Sequence, residues 1–152
     1  MDILNYYPIS PLLATSGQPT PTQFQQIAEA SYQVVINLAL TTSSNAIEHE
    51  DSVVLANGMQ YVHLPVSWEQ PLLQDFLLFA QLLFSLKQKK VWVHCAKNMR
   101  VSCFIYLYQL HILKLSPELA SYPVSKIWQP EGAWSKLLVD VEQYFFVESH
   151  HV

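Results

Sequence analysis

The chain is poor in charge and poorer still in arginine. Charged residues make up 13% of its 152 positions, and hydrophobic residues make up 51%. That apolar share excludes a disordered chain and supplies enough side chains for a substantial core. Eight Lys plus Arg face twelve Asp plus Glu, a net charge of −4. A general nucleic-acid binder needs a basic face to neutralise phosphates, so no nucleic-acid partner is expected. The short cluster Lys87, Lys89 and Lys90 is read as a solvated helix end favoured by the helix dipole. Two cysteines, Cys95 and Cys103, are too few for a disulfide framework. A reducing, cytoplasmic setting follows as the simplest expectation, and it suits a working thiol. The N-terminal Met1-Asp2-Ile3-Leu4-Asn5 lacks the basic-then-apolar layout of a signal peptide. The longest apolar stretches, Phe76–Leu86 and Val101–Leu115, are too short and too interrupted to span a bilayer, so no membrane partner is expected. No spacing of His, Cys or acidic residues resembles a metal site, and neither a metal nor an organic cofactor is expected.

What remains reads as one domain over 1–152. Pro11–Ala14 is a short apolar segment ended by the turn Ser16-Gly17-Gln18-Pro19. Thr20 as N-cap, Pro21 at the first helical position and Gln23 closing a capping box open a helix to about Ser31. Tyr32–Leu38 is a buried strand, Leu40–Asn45 a polar loop, and Ala46–Ala56 a helix capped by Gly58. Met59–Leu64 is a strand, Pro65–Pro71 a loop, Leu72–Leu86 a helix, Lys90–His94 a short strand and Val101–Leu115 a helix. Ser116-Pro117-Glu118 starts another helix, and an amphipathic tail follows from Glu131 to Glu148. The alternation implies an α/β domain, with a mainly parallel central sheet of about four to five strands flanked by helices. Ligands in such folds sit beyond the carboxyl ends of the strands.

His94 and Cys95 stand at such an end. The sole arginine, Arg100, follows five residues after Cys95, and Ser102 two after that. A strand that turns tightly into a helix presents inward backbone N–H groups and the positive end of a helix dipole. Arg adds a bidentate fork for an oxyanion, and the same field favours the thiolate of Cys95. Ala96, Lys97, Asn98, Met99, Arg100 and Val101 are therefore candidate anion-binding residues. Cys95 is the candidate nucleophile, and His94 supports the loop through hydrogen bonds.

This stretch resembles the signature of the cysteine-dependent protein tyrosine phosphatases, in their dual-specificity-like and small bacterial branch. That signature is His-Cys, five residues with a central Gly, Arg, then Ser or Thr. The turn Ser16–Pro19, the strand Val34–Leu38 and the segment Gly58–Val66 fall in the order such domains use, so the likeness covers about residues 8 to 115. Arg100 stands one position early. Either the loop is one residue shorter, or its length is kept with Asn98 in the glycine position and Ser102 in the Ser/Thr position. The second is preferred, because Asn tolerates a left-handed backbone. In both alignments Arg100 is expected to miss the usual approach to phosphate.

The resemblance implies a phosphatase that cleaves a phosphomonoester through a phosphocysteine, with a phosphorylated protein or small molecule as partner. Ser102 would bond the sulfur, and a loop acid would protonate the leaving oxygen. Glu69, the only acid of 65–71, is the candidate, with Trp68 as a hydrophobic latch and Asp75 in reserve. Tyr61, Trp68 and Tyr7 are candidates for a cleft wall. Two further readings stay open: a catalytically weak phosphate- or phosphoprotein-binding pseudophosphatase, and a rhodanese-like sulfurtransferase, whose Cys opens a shorter loop. Cys103 is read as core, with a resolving thiol as the alternative, and His63 and His111 are also read as core. His150 and His151 are read as frayed-end residues. Trp128, Trp134, Tyr144, Phe145 and Phe146 would pack a closing helix, any exposed remainder offering a homodimer patch.

Overall fold

The computed structural model describes residues 1–150, so the reading of His151 lies outside the described residues. Twelve elements follow one another: β1 (Tyr7–Ser10), β2 (Leu13–Ser16), α1 (Pro21–Glu29), β3 (Val34–Asn37), α2 (Glu50–Ala56), β4 (Gln60–His63), α3 (Leu73–Ser85), β5 (Val91–His94), α4 (Met99–His111), α5 (Pro117–Ala120), α6 (Val124–Ile127) and α7 (Ala133–Ser149). The five strands form one sheet in the order β1-β2-β5-β3-β4. Only the β1–β2 pair is antiparallel.

Strand β5 shows how the apolar sequence becomes two packed layers. Successive side chains of a strand point to opposite faces. Val91 and Val93 join Val34 and Ile36 of β3 in a core with residues of α3, α4 and α7. Trp92 joins Val35, Phe24, Ile27 and Val54 in a second core beneath α1 and α2. Both faces are covered, so β3 and β5 are apolar at nearly every position. Trp92 is fully buried and donates its indole N–H to Ser16 Oγ at 2.8 Å. The same alternation carries past the strand end: His94 follows Trp92 to the α1–α2 side, where it meets Phe24, and Cys95 follows Val93 into the opposite core.

Helix α1 begins with the capping box expected from the sequence: Thr20 Oγ1 accepts from Gln23 N–H, and the Gln23 side chain accepts from Thr20 N–H. Four expectations need correction. Strand β1 is an unexpected edge strand; Pro8, which cannot donate to a ladder, hides its pattern. The segment at Pro11–Ala14 is a turn leading into β2, displaced to Leu13–Ser16. The helix expected from Ala46 starts only at Glu50, because His49 adopts a left-handed backbone (φ 54°). Helix α4 starts two residues before Val101 and ends at His111, four before Leu115. Among the described residues no helix is long and apolar enough to cross a membrane, and no group of His, Cys, Asp or Glu is placed to hold a metal.

Candidate active site

The chain leaves β5 at His94 and enters α4 at Met99 through four residues. Asn98 makes this turn possible. It takes the left-handed conformation (φ 63°), and its side-chain amide donates to Asn5 O at 2.9 Å and to Thr15 Oγ1 at 3.0 Å. Every carbonyl from Cys95 to Met99 is engaged from outside the loop's inner face. Cys95 O lies 3.2 Å from His94 Nδ1. Ala96 O accepts from Gln18 N–H at 3.0 Å and from Asn45 Nδ2 at 2.9 Å. Lys97 O accepts from Asn5 Nδ2 at 3.0 Å, and Asn98 O accepts from Ser102 N–H at 3.1 Å. Met99 O accepts from Trp128 Nε1 and from Ser102 Oγ, both at 3.0 Å.

Pinning the carbonyls outward turns the opposite ends of those peptides inward. Among the described residues, the backbone N–H groups of Ala96, Lys97, Asn98, Met99, Arg100 and Val101 donate to no protein acceptor. Buried N–H groups are almost always paired, and a run of unpaired N–H groups at a turn into a helix has the arrangement that can hold an anion. Gly17 completes the fit, because a Cβ there would lie 2.8 Å from Ala96 O.

Arg100 lies in the first turn of α4. With Trp68, Cys95, Ala96, Lys97 and Met99 it lines a cavity of about 210 Å³. The guanidinium carbon stands 5.8 Å from the centre of the Trp68 ring. Arg100 is 7% exposed; among the described residues it has no carboxylate partner, and its Nε is buried without a hydrogen bond. A buried cation is costly unless countered. The sequence reading has Arg100 miss the usual point of approach while still counting it among the anion-binding residues; in the fold it faces, from the second residue of α4, the cavity that Cys95 lines.

Trp68 is held in place by Trp134 Nε1, which donates to its carbonyl at 2.9 Å, and by ring contacts to Trp128 and Trp134. Glu69 beside it is exposed and does not line the cavity. Asp75 is occupied at the start of α3, where its Oδ2 accepts from Leu72 N–H at 2.9 Å. Ser102 does not bond the sulfur; its hydroxyl is spent on Met99 O. Tyr7 packs edge-on against Tyr122, and Tyr61 accepts from Asn37 Nδ2, so neither walls the cavity. Cys103 is fully buried, and burial pushes its thiol up to about 12. His63 is half-buried against Ala39 O, and His111 stacks on Phe145. Of the closing-helix aromatics, Trp134 is buried, while Phe146 is well exposed.

The sequence reading missed the supports of the loop: Asn5, Thr15, Gln18, Asn45, Trp128 and Glu50. Glu50 is buried, with Oε2 at 2.7 Å from His94 Nε2 and Oε1 accepting from Gln18 Nε2 at 2.6 Å. Burial works to raise its carboxyl, but the hydrogen bond and charge of His94, helped by Gln18, outweigh this and hold it below the usual carboxylate range. Only the Gln18 turn left a local signal; Trp128 lies 29 residues from its partner and the rest 44 or more.

A solved structure of a DUF442 protein from Shewanella putrefaciens CN-32, which carries a provisional phosphatase name, superposes on this fold with a TM-score of 0.84. The two chains are 33% identical over 95% of each. The chain belongs to the DUF442 family. The same fold recurs in phosphatase structures much more distant in sequence. PTPMT1 in complex with PI(5)P matches with a TM-score of 0.78 at 14% identity, over 95% of this chain and 98% of that one. Tk-PTP in its active form matches with a TM-score of 0.76 at 16% identity, over 91% and 97%. No protein-family model and no curated protein sequence matches this DUF442 chain.

Proposed function

We propose that this DUF442 protein is a cysteine-dependent phosphatase acting on a phosphomonoester, with Cys95 as nucleophile. One observation carries the reading: a buried guanidinium that has no counter-charge among the described residues faces the cavity of a buried thiol, beside six backbone N–H groups that none of those residues accepts from. These donors suit the equatorial oxygens of a phosphoryl group in its transition state, where such stabilisation is the largest catalytic contribution. PTPMT1 binds the phosphorylated lipid PI(5)P on the same fold, which supports a phosphorylated substrate here.

In the first step the Cys95 thiolate attacks phosphorus, the P–S bond forms, and the P–O bond to the leaving group breaks. In the second, water attacks phosphorus and the thiolate departs. Arg100 and the N–H groups of 96–101 hold the oxygens throughout, and His94 supports the peptide that opens the loop. Glu69 is the proposed donor to the leaving oxygen; it is the only acid on the loop that carries Trp68, and it would reach the cavity by movement of that loop. Ser102 acts here by fixing the Met99 carbonyl.

Hydrolysis of 4-nitrophenyl phosphate tests the reading. Turnover that vanadate inhibits, that Cys95→Ser abolishes and that Arg100→Lys lowers by about 10²–10³-fold is the expected result. Anion binding with no Cys95-dependent turnover would leave a phosphate-binding pseudophosphatase. A sulfurtransferase is the second reading, favoured by the short Cys-x4-Arg loop and by the lack of a carboxylate in the cavity lining. Attack of Cys95 on the outer sulfur of thiosulfate would give a persulfide and release sulfite, a leaving group that needs no proton. Cys95-dependent formation of sulfite from thiosulfate is its signature.

A further inference from the structure

Behind the loop, on the face of the sheet away from the Cys95 side chain, lies a buried polar chain that the steps above leave unused. Glu50 of α2 is 7% exposed and contacts both Gln18 and His94. The His94 ring is fully buried, with Nε2 at 2.7 Å from Glu50 Oε2 and Nδ1 at 3.2 Å from Cys95 O. A carboxylate and a carbonyl are acceptors only. Both ring nitrogens are satisfied together only when both carry protons, giving an imidazolium countered by Glu50. The Cys95 carbonyl belongs to the same peptide unit as the Ala96 N–H, the first donor of the anion loop. A charged donor on that oxygen polarises the N–H at the other end.

We infer that Glu50 is a positioning residue for Cys95: it holds His94 as a charged donor to the Cys95 carbonyl, and so orients and polarises the peptide that opens the anion loop and favours the thiolate. The inference rests on the reading that Cys95 is the nucleophile. The groups facing this chain are few. Gln18, His94 and Tyr61 of β4 face Glu50; His49, the exposed Asp51 and His63 of β4 line a cavity with it. Phe24 of α1 faces the His94 ring. Arg100 of α4, Lys97 of the loop and Trp68 share the cavity with Cys95. Burial drives the Tyr61 hydroxyl well above its ordinary range, so it stays neutral near pH 7.

The test is the pH dependence of Cys95 alkylation by iodoacetamide, in which the thiolate displaces iodide from carbon. The full chain is used, with the adduct located by mass spectrometry. Cys103 does not compete, being fully buried with its thiol pushed up to about 12. Wild type is expected to alkylate with a midpoint below the ~8.5 of a free thiol. Glu50→Gln is expected to raise that midpoint by about one unit, slowing alkylation by about tenfold at pH values below the wild-type midpoint. His94→Asn keeps an amide donor near the Cys95 carbonyl but no charge. It should give the same midpoint as Glu50→Gln, and the double variant should shift it no further. The double variant buries no charge and stands in if Glu50→Gln alone does not fold. A Glu50→Gln protein with a lowered melting temperature but an unmoved midpoint would overturn the inference, as would shifts that add in the double variant. A wild-type midpoint at the free-thiol value would overturn the nucleophile reading itself, which separates the two failures.

Discussion

Two loops meet over Cys95, and they are built to opposite standards. In the loop from Cys95 to Met99 the carbonyls of Ala96, Lys97 and Met99 are engaged by the N-terminal segment, the turn after β2, the loop before α2 and the segment after α6, and the Asn98 side chain donates to Thr15 of β2. The loop between β4 and α3 is fixed at Trp68, through its carbonyl and three contacting rings, and its one acid is exposed. Strained, preorganised backbone persists only where its surroundings over-determine it. The anion loop satisfies that condition, and the acid-bearing loop does not. On the proposed reading, the anion-binding loop is thus already formed in the resting fold, whereas the exposed Glu69 would have to move to donate a proton.

The comparison breaks most sharply at Arg100. Arg100→Ala should lower turnover of 4-nitrophenyl phosphate by about 10³-fold or more and weaken phosphate inhibition in parallel. A variant that loses neither would mean that the guanidinium plays no part in the site. Glu69→Gln should cost less, about 10²-fold at most, and should flatten the acid-donor limb of the pH–rate profile. An unchanged profile would remove Glu69 from the mechanism while leaving the anion loop intact. Gly17→Ala drives a Cβ against Ala96 O. It should lower stability by about 1–3 kcal/mol, read by urea denaturation, and should weaken phosphate inhibition as the loop shifts.

Much of this architecture is legible in the residues themselves. The runs Val34–Asn37 and Val91–His94 are apolar and β-branched, and Thr20-Pro21-Thr22-Gln23 spells out a helix start. Asn98 carries a left-handed turn as expected of an Asn in a glycine position. What escapes is tertiary. Nothing near Glu50 in sequence tells that it lies beneath His94, 44 residues on. Nothing near Asn5 tells that it braces both Lys97 and Asn98, 92 and 93 residues away. The way Arg100 reaches the cavity is likewise not legible from its position along a signature. The direction of a side chain in the first turn of a helix depends on where the helix begins, and α4 begins two residues earlier than its apolar periodicity indicates.

The smallest expected effect lies in acid. Glu50 holds its proton less tightly folded than unfolded. Its contribution to stability is thus complete above the ordinary Glu value of ~4.3 and is lost as pH falls through its lower folded value. Urea midpoints of wild type should drop over that interval more steeply than those of Glu50→Gln. Parallel curves would show that the pair contributes nothing specific to acid sensitivity.

The most direct measurement is a crystal structure of the protein grown with tungstate, a tetrahedral oxyanion of phosphate shape. The anion should sit over Cys95 Sγ, with its oxygens about 2.7–3.1 Å from the N–H groups of 96–101 and from the Arg100 guanidinium. A cavity without tungstate, with Arg100 turned to solvent, would contradict the claim that the loop is an oxyanion site.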